Sequence, residues 1–182
     1  MLRLLASLLF AAGIAIGTAR AMDTETVQTF HHAVRIGDFG TVETMLRSDP
    51  RLATSTDEFG FQPVHLLDMV FDRRILALLL KDGADINARN DEGVTLLHIL
   101  TDPDAVSVVI AAGADIEAVD AEGWTPLLMA ANEQDRIEVI EALLAAGANP
   151  NARGRKGETA LSFARSRGDV ELAGILVRAG AR

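Results

Sequence analysis

The stretch DAEGWTPLLMAAN, residues 120–132, decides how the rest of the chain is read. Gly123 sits in a polar turn, and Thr125-Pro126 stand where a helix would start. Threonine serves there as a side-chain cap, and proline fits a first-turn position that has no use for an N–H. Leu127, Leu128, Ala130 and Ala131 then fall on one helical face. Such a segment is either a loop that does chemistry or one copy of something structural, and self-similarity decides between them.

The pattern recurs as FGFQPVH (59–65), EGVTLLH (92–98), EGWTPLL (122–128) and KGETALS (156–162). The turn glycines Gly60, Gly93, Gly123 and Gly157 are 33, 30 and 34 residues apart. A second marker closes each unit: DGADINA (82–88), AGADIEA (112–118), AGANPNA (146–152) and AGAR (179–182). Two independent markers on one period define a repeat architecture. Each interval has room for two short helices; in the fourth unit Ile137, Val139, Ile140, Leu143 and Leu144 give the second its apolar stripe. One such pair cannot bury its own apolar faces, whereas stacked pairs can.

The combination of a turn glycine, Thr-Pro-Leu-His, small alanines and a closing Gly-Ala-Asp resembles the ankyrin repeat. The resemblance runs through Gly60–Asn87, Gly93–Glu117, Gly123–Asn151 and Gly157–Arg182, with FHHAVRIGDFGTVETMLRSDPRLA (30–53) as a divergent first unit. It implies an all-α solenoid of paired antiparallel helices with β-turn or hairpin tips. About five repeats fill residues 22–182, in units near 24–56, 57–89, 90–119, 120–153 and 154–182. The units also depart from the pattern. The second carries Leu67 and Asp68 where small alanines belong, the third is three residues short and contains Pro103, and the fourth has an extra residue near Gln134. Shortened or irregular helices are expected at those places.

His31, His65 and His98, 34 and 33 residues apart, occupy one place in successive units. The resemblance makes them ties between neighbouring turns, structural like Gly60, Gly93, Gly123 and Gly157. His32 adjoins His31, and consecutive helical residues do not share a face, so the pair is a poor chelate. Asp57 and Asp120 open turns and bond the backbone there. Neither is followed by the alternating oxygen ligands of a calcium loop. Glycines occurring one per unit make no phosphate cradle, and the absence of cysteine removes thiol chemistry, disulfides and cysteine-ligated zinc. No catalytic residues, metal or cofactor are expected.

The resemblance places function on the concave face, formed by the turn tips and the exposed side of each first helix. Candidate contacts are Phe59, Phe61 and Met69 in the second unit and Asp91, Glu92 and Val94 in the third. Glu122, Trp124 and Glu133 follow in the fourth, and Arg155, Lys156 and Arg167 in the fifth. The face then runs from apolar through acidic to basic. Trp124, the single tryptophan, is expected to lean toward Phe61, either as an aromatic anchor or as cover for the adjacent turns.

Residues 1–21, MLRLLASLLFAAGIAIGTARA, have one basic residue ahead of an apolar run from Leu4 to Ile16 and end in Ala19-Arg20-Ala21, the pattern of a cleaved export signal. The run is shorter than the ~20 residues a spanning helix needs. Without this segment 15 basic residues face 26 acidic ones, a net charge of −11, which disfavours nucleic acid and anionic lipid. The expected protein is periplasmic or secreted, monomeric, away from the membrane, and bound to a protein partner, whether by stabilising or inhibiting an enzyme or by neutralising a toxic effector. A membrane-tethered scaffold is the rival reading. Intact mass of the protein recovered from cells is expected to match a chain starting at Met22; a retained Met1 would restore the tether.

Overall fold

The computed structural model describes residues 22–182, so the expected export signal and its expected cleavage site lie outside the described residues. The helices are α1 (Thr24–Arg35), α2 (Phe39–Ser48), α3 (Arg73–Lys81), α4 (Leu96–Ile99), α5 (Pro103–Ala111), α6 (Pro126–Asn132), α7 (Ile137–Ala145), α8 (Ala160–Arg167) and α9 (Val170–Arg178). Two 3-10 helices, Pro50–Thr54 and Pro63–Asp68, complete the set. With Pro63–Asp68 standing as the partner of α3, they form five successive helix pairs. Each first helix packs on the first helix of the next pair, as α4 does on α6 and α6 on α8. The repeat is a solenoid, without strands among the described residues. The tips are turns joined by single backbone bonds rather than hairpins: Asp91 N–H to the Phe59 carbonyl (3.2 Å), Ala121 N–H to Glu92 (2.8 Å) and Arg155 N–H to Glu122 (3.0 Å).

Local chemistry sets most boundaries. Asp23, Asp38, Asp72, Asp102 and Asp169 accept a backbone N–H at the starts of α1, α2, α3, α5 and α9, and Thr125 and Thr159 do the same for α6 and α8. The closing glycines Gly83, Gly113, Gly147 and Gly180 have φ between +97° and +99°, a backbone state glycine adopts without Cβ strain. The irregular units are irregular in the structure. Where Leu67 and Asp68 replace small residues, the first helix is a 3-10 segment that ends by turning Met69 and Val70 outward. In the short third unit α4 has only 4 residues. Asp102, restricted to extended backbone by Pro103, turns at once into α5. In the fourth unit the extra length is taken up at Asp135, a non-glycine residue at φ +57°.

The core is a continuous column of aliphatic side chains. Leu67, Ile75, Leu79, Leu96, Leu97, Leu127, Leu128 and Ile140 are fully buried, each stabilising the fold by roughly 1.5–3 kcal/mol on burial. Polar ties run beside it. His65 Nε2 donates to the Val94 carbonyl (3.1 Å) and His98 Nε2 to the Trp124 carbonyl (3.0 Å), each reaching into the next unit. Their Nδ1 atoms accept N–H groups from Gln62 and Thr95, which fixes the Nε2-protonated tautomer. His31 differs: its Nε2 meets Ser55 Oγ (3.0 Å) inside its own unit. At the closing turns Asn87 bridges to Gly113 and Asp115, Glu117 to Asn149, and Asn151 to Gly180 and Arg182.

Burial pushes the His31, His65 and His98 imidazoles below the ordinary histidine value, so the fold favours their neutral forms. Stability is therefore full above pH 6.5 and falls as pH drops from there toward the folded values, where the unfolded chain binds protons first. Asp68, pushed upward by burial, works in the opposite sense, and carboxylates held low, such as Asp38 and Asp72, lose their contribution only in more acid solution. Denaturant titrations are expected to show stability declining as pH falls below about 6.5. His98→Ala should cost on the order of 1–3 kcal/mol at neutral pH and flatten that decline; an unchanged slope would remove the tie from this account.

Candidate partner-binding face

The tips are built on one device. Asp57 Oδ1 accepts the N–H groups of Phe59 and Phe61, Asn90 Oδ1 those of Glu92 and Val94, and Asp120 Oδ1 those of Glu122 and Trp124. The middle of each turn is left facing outward, with its side chains free of backbone duties. Phe59 is 61% exposed, and Asp91, Glu92, Glu122, Arg155 and Lys156 are exposed on successive tips.

At the second unit the face opens into a groove of about 440 Å³ lined by Arg35, Asp57, Phe59, Phe61, His65, Leu66, Asp68, Met69 and Ile99. Met69 is 65% exposed. Phe61 is half-buried and meets the His65 ring edge-on at 5.5 Å. Burial pushes the half-buried Asp68 carboxyl above the ordinary aspartate value. The Asp68 carbonyl accepts the Thr101 hydroxyl (3.0 Å), which closes the irregular helix end beneath. Leu66, Asp68, Ile99 and Arg35 join the site only in three dimensions. Asp68 left a trace in the sequence by breaking the small-residue pattern.

Farther along, several candidates are occupied by the fold. Val94 is buried and does not face the groove: its N–H is held by Asn90 and its carbonyl by Asn90 N–H and His65. Arg167 donates to the Ala131 and Asn132 carbonyls (2.7 and 2.9 Å), closing the end of α6. Arg136 does the same for Leu100 (3.1 Å) while pairing with Glu133. Lys156 meets Glu122 at 3.2 Å in an exposed pair, which contributes little to stability but offsets charge on the face. The basic end thus presents less free charge than its composition implies. The middle, with Asp91 and Glu92, remains acidic.

Trp124 does not approach Phe61. It is half-buried, with its ring edge-on to Phe163 of the fifth unit at 5.3 Å. The reason is local: the fifth tip has Gly154 where the others have Asp57, Asn90 or Asp120. A Cβ at Gly154 would stand 2.7 Å from Trp124 Cδ1 and 2.8 Å from Nε1. The missing acceptor is replaced by Glu158, whose Oε2 takes the Lys156 N–H (2.9 Å). Its carboxyl lies below the ordinary glutamate value, chiefly through its own backbone N–H and with help from the Trp124 indole. That indole Nε1 is buried beside Glu158 without reaching full hydrogen-bond geometry. Trp124 is therefore a joint between units four and five, where Leu128 stands in the place of His65 and His98.

Among the described residues there is no grouping of histidines and carboxylates fit to hold a metal ion, and no helix long and apolar enough to cross a membrane. Stacked helix pairs, a recurring turn hub and histidine ties define a repeat solenoid with an open face. A family model described as Ankyrin repeats (3 copies) matches residues 69–154 and 99–182, and the chain belongs to the ankyrin-repeat family. No curated protein matches it. Members of the family generally mediate protein–protein interaction and are typically non-enzymatic.

Gly154→Ala is expected to cost about 1–3 kcal/mol in chemical denaturation, the price of overpacking against Trp124. Combined with Trp124→Leu, the cost should be less than additive; full additivity would separate Gly154 from the indole.

Proposed function

We propose that this is an exported, periplasmic and monomeric interaction module. It holds one protein partner against its concave face and thereby stabilises or inhibits a periplasmic enzyme. The observation that carries the proposal is the distribution of exposed apolar surface. Of the 7 large hydrophobic side chains exposed among the described residues, Ile36, Phe59, Met69 and Val70 belong to the first two units. Phe59 and Met69 share one groove, and Val70 lies over Gly37, next to Ile36. Exposed apolar groups gathered beside a polar rim mark interaction surfaces, whereas single scattered ones do not. The acidic tips on the same side, Asp91 and Glu92, favour encounter with a basic partner surface. An effector protein neutralised by binding fits the same face and is told apart by the partner's identity.

The test is a crosslinking pull-down from the periplasm of the native host, with the wild type set beside the Phe59→Ala, Met69→Ala double variant at matched thermal stability. One dominant protein, depleted at least about tenfold with the variant, is the expected result, since groove anchors carry most of an interface's energy. Equal recovery by both would move the interface off this groove, and recovery of nothing specific would count against the proposal as a whole.

A further inference from the structure

The groove of the second unit has a feature that a purely apolar docking site would lack. Its walls are Phe59, Phe61, Leu66, Met69 and Ile99, yet the Asp68 carboxylate is set among them, half-buried and, among the described residues, in no ion pair. The backbone N–H groups of Met69 and of Asp68 itself, and the charges of Arg35 and Arg136, favour its ionised form but are outweighed by burial. Desolvating a carboxylate without a cation is costly, and the cost shows in the upward push on its carboxyl. The other clefts differ. In the one between units four and five, Arg136 and Arg167 are spent on Glu133 and on backbone carbonyls. The one beside α1 has Val27 as its single hydrophobic lining residue.

Resting on the concave-face reading above, we infer that this groove seats a lysine or arginine side chain of the partner, flanked by an apolar residue. The stem lies along Phe59 and Met69, and the cationic head meets Asp68. Long basic side chains suit such a site because they bury an alkyl stem while keeping the charge at a polar end. An exposed phenyl face adds attraction for the cation. The charge around the groove agrees. Its lining carries Asp57 and Asp68 against Arg35 alone, and Glu58, Asp91 and Glu92 stand exposed on this tip and the next. Arg35, at the rim, is the one arginine or lysine in the lining and opposes a bound cation there, with Arg136 acting from outside the groove. Its removal therefore has a signed consequence.

The probe is a randomised peptide display library selected against the intact protein, followed by fluorescence-polarisation titrations of the enriched peptides. Enriched sequences should share a lysine or arginine next to a bulky apolar residue. Asp68→Asn should weaken them about tenfold or more, as loss of one partner of a desolvated charge pair does. Phe59→Ala should also weaken them, and Arg35→Ala should strengthen them. Arg35 is exposed, so its variant remains informative if Asp68→Asn folds poorly. Peptides lost with Phe59→Ala but indifferent to both Asp68→Asn and Arg35→Ala would overturn the basic occupant and leave partner binding in the groove intact. Enriched peptides indifferent to Phe59→Ala would overturn the groove itself, and so would the absence of any enrichment. The pull-down of the native partner is read separately in every case, so failure here and failure of the broader reading are distinguishable.

Discussion

A histidine Nε2–H donated to the carbonyl that follows the next unit's turn glycine is the contact on which the order of this stack depends. Units of this size cannot bury their apolar faces alone, so stability is close to a sum of unit and neighbour terms. Aliphatic packing supplies most of each neighbour term, but it is not directional. The ties from His65 to Val94 and from His98 to Trp124 are directional. The same two carbonyls accept the N–H groups of Asn90 and Asp120, which close their own tips. One carbonyl thus fixes the shape of a turn and its distance from the unit before it. Burial favours the neutral imidazoles, so acid acts on these ties by charging a buried ring and taking away the Nδ1 acceptor of the Gln62 and Thr95 N–H groups, whereas the aliphatic column has nothing to titrate.

The same economy of groups determines where function can reside. Side chains that close turns, cap helices or span units are committed, including Asp57, Asn90 and Asp120 at the hubs and Thr101, Arg136 and Arg167 at the ends of first helices. Trp124 belongs with them. The joint between units four and five has no histidine, and an indole packed on Phe163 over Gly154 takes its place. What remains outside this set is the outward middle of each tip and the groove left where the 3-10 helix turns Met69 away from the core. The irregular second unit thus exposes apolar surface that a regular alanine-rich helix would not. The proposed binding groove and the irregularity coincide there.

The period of the two glycine markers made the helix pairs legible, and the departures at Leu67-Asp68, Pro103 and Gln134 marked where helices shorten or bend. These are local properties of the chain. The exposure of Phe59, Asp91 and Glu92 was legible, since it follows from their place in the turn, and that of Met69 from its place on the first helix of the unit. The burial of Val94 and Trp124 was not, because both sit just after a turn glycine and burial there depends on the neighbouring unit. For Val94 it is the histidine before it, and for Trp124 the glycine 30 residues after it. The second role of Arg167 was not legible for a similar reason: a long side chain 35 residues from the Asn132 carbonyl reaches it only in the stacked structure. Repeat position predicts backbone; it does not predict which side chain a neighbour will use.

On the proposed reading Phe59 and Met69, both exposed, contribute nothing to folding and serve a partner, while their neighbour Leu67 is core. Guanidinium unfolding of Phe59→Ser, Met69→Ser and Leu67→Ala, compared with the wild type, tests it directly. The account predicts that the first two stay within about 0.5 kcal/mol of the wild type, whereas Leu67→Ala loses roughly 2–5 kcal/mol. A loss above about 2 kcal/mol in either serine variant would contradict it, because the groove would then be part of the core it borders.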